Sequence, residues 1–566
     1  MKQFSEIKYV RPDFKKIKED LKAYTQGMKK AKDFKEFMLY FKKIEKVFKD
    51  LSTMGTVASI RNTLDVNDAF YEKEYIYVSE QFAKMNSLEE QYNKAFLSSK
   101  FRKDFDKKYT DTYSKGLEYQ NKLLSPKIVP LQIEEDKLCQ IYSKDAANCK
   151  TEFRGETCNF YGLLKHMEST DRQERREAFE AWAKLYEEVS PKLDDTYDKL
   201  VKIRRQKAEI LGLDSYIDYA YLDIGRYYYT KDDVAVFRQQ VKDYIVPVCE
   251  KLYKLQEKNL GVDKLRYYDE ALFYPEGNAI PIGNKDELVE KARKMYEELS
   301  PETGEFFNFM TKYQLFDLET KPGKHMGGYC TDLNKYKAPF IFSNFNGTSA
   351  DVDVLTHEAG HAFQFYLSAR KQPFMYFDSS TPDICEIHSM TMEHWAYPWM
   401  ESFFGENADK YRLAHLTNAL CIIPYLVCVD EFQHRVFEKP DMTAMDRRGV
   451  WREIEKKYMP WRDYDGNEFL EAGGFWMQKQ HIFLYPFYYI DYALAQVCAF
   501  NIFARSQDDR QAAWKDYLAL CKAGGSKGYF DLLKIANVPS PFKEGTVKQT
   551  VDKISEILKK FEEKVK

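Results

Sequence analysis

Apolar residues recur every three or four positions over most of residues 12–125, and one stripe, Phe34, Phe37, Met38, Phe41, Ile44 and Phe48, runs along a single face of a helix amid Lys and Glu. The same period returns over about 170–212 and about 231–259. It breaks at the Pro- and Gly-rich residues 274–278 and 281–284, which predict loops. Residues 340–345, Phe-Ile-Phe-Ser-Asn-Phe, are aromatic and β-branched, lie between Pro339 and Gly347, and predict a strand. Helical patterning then resumes to the end of the chain, interrupted near Gly473-Gly474 and Gly524-Gly525. The expected fold class is therefore mainly α with one small β element. No internal repeat or low-complexity linker divides the chain.

Composition narrows the function classes. A chain of 566 residues is long enough to bury one large or several ordinary cores. Its 86 Lys and Arg balance 89 Asp and Glu to a net charge of −3, so nothing in the bulk charge predicts a nucleic-acid partner. The longest apolar run, residues 419–429, is about half of the roughly 20 residues that span a bilayer and contains Pro424, so it reads as a buried core helix and no membrane partner is expected. The first residues carry charge without an apolar stretch of signal-peptide length. Ten cysteines lie far apart without a C-x-x-C pair, which predicts reduced, buried thiols and a cytoplasmic protein. No oligomeric state follows from the sequence.

Histidine is scarce and uneven: of nine in the chain, His357, His361, His388 and His394 fall close together. Residues 357–361 read H-E-A-G-H on a segment whose apolar stripe, Val352, Leu355, Ala359, Ala362, Phe363 and Tyr366, predicts a helix, and residues 348–351 offer a capping box upstream. His357 and His361 then project one turn apart from one face and can share a zinc ion, one per chain, with Glu358 beside them to activate the zinc-bound water. The third ligand has to come from elsewhere, because Leu367 stands where a three-histidine extension would place its histidine. Thr381 and Pro382 predict a helix start, and Asp383, Glu386 and Glu393 share a face of that helix. Glu386, 25 residues after His361, is the expected ligand. Asp383 and Glu393 are expected to orient ligating imidazoles through the other ring nitrogen, and His388 and His394 face elsewhere.

A second stretch, residues 481–492, places phenols at Tyr485, Tyr489 and Tyr492 on roughly one helical face. In a chain with 42 tyrosines such a stripe is first of all core. Phenols and imidazoles are also suitable donors to an oxyanion, and the preceding Gly473-Gly474 reads as a hinge or close-approach element.

Taken with the strings at 229–234, 327–330, 339–347 and 486–492, these residues resemble the thimet oligopeptidase and oligoendopeptidase F family, and most of all its bacterial Pz-peptidase-like branch, over roughly 210–545. The resemblance implies a zinc metalloendopeptidase that cleaves short unfolded peptides, with two helical lobes around a deep channel and a small sheet beside the zinc helix. It implies an N-terminal lobe over 1–205 and a catalytic region over 206–566, zinc on His357, His361 and Glu386, and Glu358 as general base. His481, Tyr489 and Tyr492 take the oxyanion and substrate-positioning roles, whereas Tyr485 is one residue out of step with the mammalian pattern. Residues 340–345 would be the substrate-binding edge strand, with Phe340, Phe342 and Asn344 toward the peptide. A zinc carboxypeptidase or dipeptidase, or a catalytically silent peptide-binding module, remains open at this point.

Overall fold

A computed structural model describes residues 1–321, 323–325 and 327–565. It is mainly α-helical, and its strands, among the described residues, are five: β1 (Thr151–Phe153), β2 (Glu156–Cys158), β3 (Phe316–Glu319), β4 (Tyr329–Leu333) and β5 (Ala338–Phe345). The chain forms two compact units. One comprises residues 1–124, 280–408 and 501–539; the other comprises 125–279, 409–500 and 540–566.

In the first unit the N-terminal stripe does what its period predicts. Helix Phe34–Leu64 starts at Asp33, whose carboxylate accepts from the Glu36 amide at 2.8 Å, and it buries Phe37, Met38, Phe41 and Ile44. Phe34 and Phe48 pack at the margin of that cluster. Phe41 meets Phe96, Phe105, Tyr113 and Phe374 at ring-centroid separations of 4.9–5.9 Å, mostly tilted or edge-on, the arrangement aromatic quadrupoles favour.

The three-stranded sheet of this unit has the order β3-β5-β4, with β3 parallel and β4 antiparallel to β5. The strand read from residues 340–345 is β5, two residues longer at its start. It is not an edge: both sides are paired, and the outer strands of the sheet are β3 and β4. Phe340 and Phe342 are buried, Phe340 against the Phe4 ring at 4.4 Å and Phe342 stacked on Tyr329 at 4.7 Å. The Asn344 amide donates to the carbonyls of His325 and Gly327 at 2.9 and 2.8 Å. Phe342 and Asn344 therefore support β4 and the loop leading into it, and Phe340 packs the N-terminal segment.

In the second unit the long helix Arg172–Ile210 is N-capped by Asp171, which accepts from the Gln173 amide at 3.0 Å. The apolar run at 419–429 spans the junction of two helices, Ala408–Cys421 and Ile423–Glu438. Pro424 sits in the first turn of the second, where its missing N–H costs no helical hydrogen bond. Ile423 and Leu426 to Val429 are buried. Gly473, at φ +97°, is a close-approach glycine: a Cβ there would lie 2.0 Å from the Arg448 carbonyl oxygen.

Candidate active site

The histidine helix, Ala350–Lys371, follows β5 after a tight turn. Its apolar stripe is buried as expected, from Val352 at 0% exposed to Tyr366 at 4%. The expected capping box does not form: Ser349 adopts helical angles and makes no cap hydrogen bond. Asp351, inside the first turn, reaches back and accepts from the Asn346 and Gly347 amides at 3.0 and 2.8 Å. A carboxylate can span to amides that a serine hydroxyl at 349 cannot reach, and its charge suits the helix N-terminus.

The carboxylate helix, Pro382–Trp395, begins as predicted with Thr381 at the cap position and Pro382 in the first turn. The Thr381 hydroxyl nevertheless donates to the Asp383 carboxylate, and Asp383 also accepts from the Ile384 amide at 2.9 Å. The two helices cross at Gly360. A Cβ there would lie 2.6 Å from the Ser389 Cα and 2.8 Å from the His388 carbonyl oxygen, so only glycine allows this approach.

That crossing brings Glu386 against both histidines. Its Oε2 lies 3.3 Å from His357 Nε2 and 3.4 Å from His361 Nε2, and it accepts from the Ser389 hydroxyl at 2.9 Å. Glu386 is 4% exposed. Although burial opposes its charge, the His361 and His357 imidazoles hold its pKa well below the ordinary carboxylate value. His357 Nδ1 is hydrogen-bonded to Glu393 Oε1 at 2.5 Å, which leaves Nε2 to face Glu386. Burial works against a charge on His357 as well, but the Glu386 and Glu393 carboxylates raise its pKa well above the usual value.

The donor set fits a metal. Two imidazole nitrogens and one carboxylate oxygen lie within 4.8 Å of one another. Ligands at about 2.0–2.1 Å from a tetrahedral zinc stand about 3.3–3.4 Å apart, the separation from Glu386 Oε2 to each imidazole. Glu358 is half-buried beside the histidines. Burial lifts its carboxyl pKa above the ordinary value while the two imidazoles pull it down.

Gly328, just before β4, brings the backbone close to this carboxylate: a Cβ there would lie 3.9 Å from Glu358 Oε1. The β4 residues Tyr329 to Thr331 line a cleft of about 470 Å³ with Gly55, Thr56, Tyr75, Val78 and Phe82. Asp332, also on β4, is pushed up to about 7 by burial and interacts electrostatically with His361. Sequence reading missed Gly360, Ser389 and Asp332. A glycine facing another helix was the one available signal, inside the motif itself.

His388 is fully buried, and its desolvated imidazole is kept neutral with a pKa of about 3. His394 stacks on Phe503 at 4.7 Å.

In the second unit, residues 481–492 do not form one continuous helix. A short helix, Gln480–Leu484, stops before Pro486, which disfavours helical angles at Tyr485, and a second helix starts at Ile490. Phe487 between them has φ +65°. The break gathers His481 and the tyrosines by folding the chain back. The His481 ring lies 4.8 Å from Tyr489, 5.9 Å from Tyr485 and 6.4 Å from Tyr492, and Tyr488 joins at 6.2 Å. Tyr485 is 57% exposed. Burial and the nearby Lys479 lower the His481 pKa to about 4, so the imidazole is neutral.

Comparison with known proteins identifies the family. Residues 4–124 match the peptidase M3 N-terminal domain, and 165–551 match peptidase family M3. An oligoendopeptidase F homolog of Lactococcus lactis subsp. lactis is 24% identical over 530 residues, covering 88% of this chain and 85% of the relative. The structure of Pz peptidase A with an inhibitor superposes with a TM-score of 0.94 at 45% identity, covering 99% of both chains. Oligoendopeptidase F of Enterococcus faecium shares the fold, with a TM-score of 0.64 at 16% identity over 98% of each chain. With well over half of its length matched by the family, the chain belongs to peptidase family M3 and is a metallopeptidase.

Proposed function

We propose that this metallopeptidase is a zinc-dependent endopeptidase of short, unfolded oligopeptides, with one zinc per chain held by His357, His361 and Glu386. The observation that carries the reading is the convergence of both imidazoles on one Glu386 oxygen, with Glu358 alongside and the open edge of β4 next to it. Zinc, when bound, would acidify a coordinated water and polarise the scissile carbonyl.

The remaining steps belong to the chain's own groups. A peptide in extended conformation pairs with the open edge of β4, which recognises backbone and tolerates many side chains. Glu358, with its raised pKa, takes a proton from the attacking water and returns it to the leaving amine. Glu393 fixes the His357 ring by accepting from Nδ1, so that Nε2 presents its lone pair. His481, Tyr489 and Tyr492 supply hydrogen-bond donors for the developing oxyanion.

Digestion of a peptide library with both termini blocked, read by mass spectrometry, tests the class of reaction. Internal cleavage is expected; products only from free-ended peptides would make the enzyme an exopeptidase. Tyr492→Phe should lower kcat by about 10²–10³-fold with little change in KM, and an unchanged kcat would make the phenol a packing group. Glu393→Gln should weaken metal binding by about 10–100-fold, measured by competition with a chromophoric chelator. Gly360→Ala should part the two helices and lower kcat/KM by about 10²-fold, the effect of roughly 1 Å of misplacement, whereas wild-type kinetics would show that this contact does not set the spacing.

A further inference from the structure

The turn that gathers the tyrosines is held at two points by buried side chains from distant parts of the second unit. Phe487 is fully buried at φ +65°, a backbone conformation that non-glycine residues rarely adopt and that persists only where the surroundings impose it. Both of its peptide groups are gripped. Its carbonyl accepts from Arg226 Nη2 at 2.9 Å, and its amide donates to Gln433 Oε1 at 3.0 Å. The same Arg226 nitrogen donates to Asp491 Oδ1 at 2.6 Å. Asp491 lies in the first turn of helix Ile490–Asp508, next to Tyr492, and its amide donates to the Tyr488 carbonyl at 2.9 Å. Upstream, Arg204 donates to the Ile482 and Phe483 carbonyls at the end of the His481 helix, and Glu135 accepts from Arg204 at 2.8 Å.

We propose that Arg226 and Gln433 are positioning residues for the reaction, which lock Phe487 in its left-handed conformation and so fix Tyr489 and Tyr492 relative to His481, with Arg204 anchoring the upstream end. The proposal rests on the oxyanion reading of those tyrosines. Two buried arginines are weak contributors to net stability, because their desolvation offsets the attraction of their partners. They are effective at selecting one backbone arrangement, and here each bonds carbonyls of the segment bearing the candidate donors. Arg226 bridges turn and helix through a single nitrogen, Nη2, which donates to both the Phe487 carbonyl and the Asp491 carboxylate. Gln433, 0% exposed, supplies the matching acceptor.

Gln433→Met carries the test, because it leaves the buried Arg226–Asp491 ion pair in place. With a blocked fluorogenic peptide, this variant should fold, retain wild-type metal content and KM, and lose at least tenfold in kcat. In the Tyr489→Phe/Tyr492→Phe background the loss from Gln433→Met should shrink to less than twofold, because the donors it positions are already gone. A wild-type kcat in Gln433→Met, or an equal fold-loss in both backgrounds, would overturn the positioning role. A wild-type kcat in the tyrosine variants themselves would instead remove the oxyanion reading on which the role depends.

Discussion

Glu358→Gln should retain the metal and lose turnover. The amide keeps the size and hydrogen-bonding reach of the carboxylate but cannot accept a proton, so the loss in kcat should reach at least the 10²–10⁴-fold that a positioned general base typically contributes, on the order of 3–5 kcal/mol of transition-state stabilisation. Glu358 is not one of the three converging groups, so metal content should stay at the wild-type level. Its carboxyl is lifted by burial, which suits a group that must first take and then release a proton. Metal analysis and single-turnover kinetics on one preparation check both halves. Near-normal turnover in a metal-replete variant would exclude the mechanism, and loss of metal would make Glu358 a ligand instead.

Glu386→Gln should be the most damaging change to metal binding. The carboxylate oxygen faces both imidazoles at 3.3 and 3.4 Å and contributes the only formal charge among the three. A neutral amide there leaves two histidines, a set that no longer closes three sides of a tetrahedron. The affinity loss should exceed the 10–100-fold typical of an outer partner such as Glu393. The Ser389 hydroxyl that donates to Glu386 can still donate to an amide oxygen, so the carboxylate helix itself should keep its place. Competition with a chelator measures the affinity, and thermal unfolding in the presence of chelator checks the helix. Affinity within tenfold of wild type would mean that Glu386 is not a ligand.

Local chemistry made much of the first unit legible. The H-E-A-G-H helix announces itself by the buried stripe from Val352 to Tyr366, and the Thr381-Pro382 start fixes the phase that points Glu386 and Glu393 toward it. What could not be read depends on long-range pairing. Residues 340–345 have the composition of a strand, but their central place follows from a parallel partner at 316–319 and an antiparallel one at 329–333. Composition gives no hint of which strand lies outermost, so residues 340–345 read as an edge although β3 and β4 are the outer strands. The capping box over residues 348–351 does not form because the Thr348 hydroxyl donates to Asn346 and the Asp351 carboxylate accepts from the Asn346 and Gly347 amides instead. The break at Pro486 was written in the sequence, since the residue before proline avoids helical angles, but the periodic tyrosines masked it. The buried Arg226 and Arg204 that hold that turn come from 261 and 278 residues away and carry no local signal.

The central claim is that His357, His361 and Glu386 hold one zinc on which peptide cleavage depends. It is tested most directly by following zinc per chain and the cleavage rate of a blocked peptide in the same sample, as a chelator removes the metal and added zinc restores it. The rate should fall in proportion from one zinc per chain to none and recover on reconstitution, and Glu386→Gln should neither retain nor recover it. Full activity in a metal-free chain, or a zinc that stays bound in Glu386→Gln with undiminished affinity, would contradict the account.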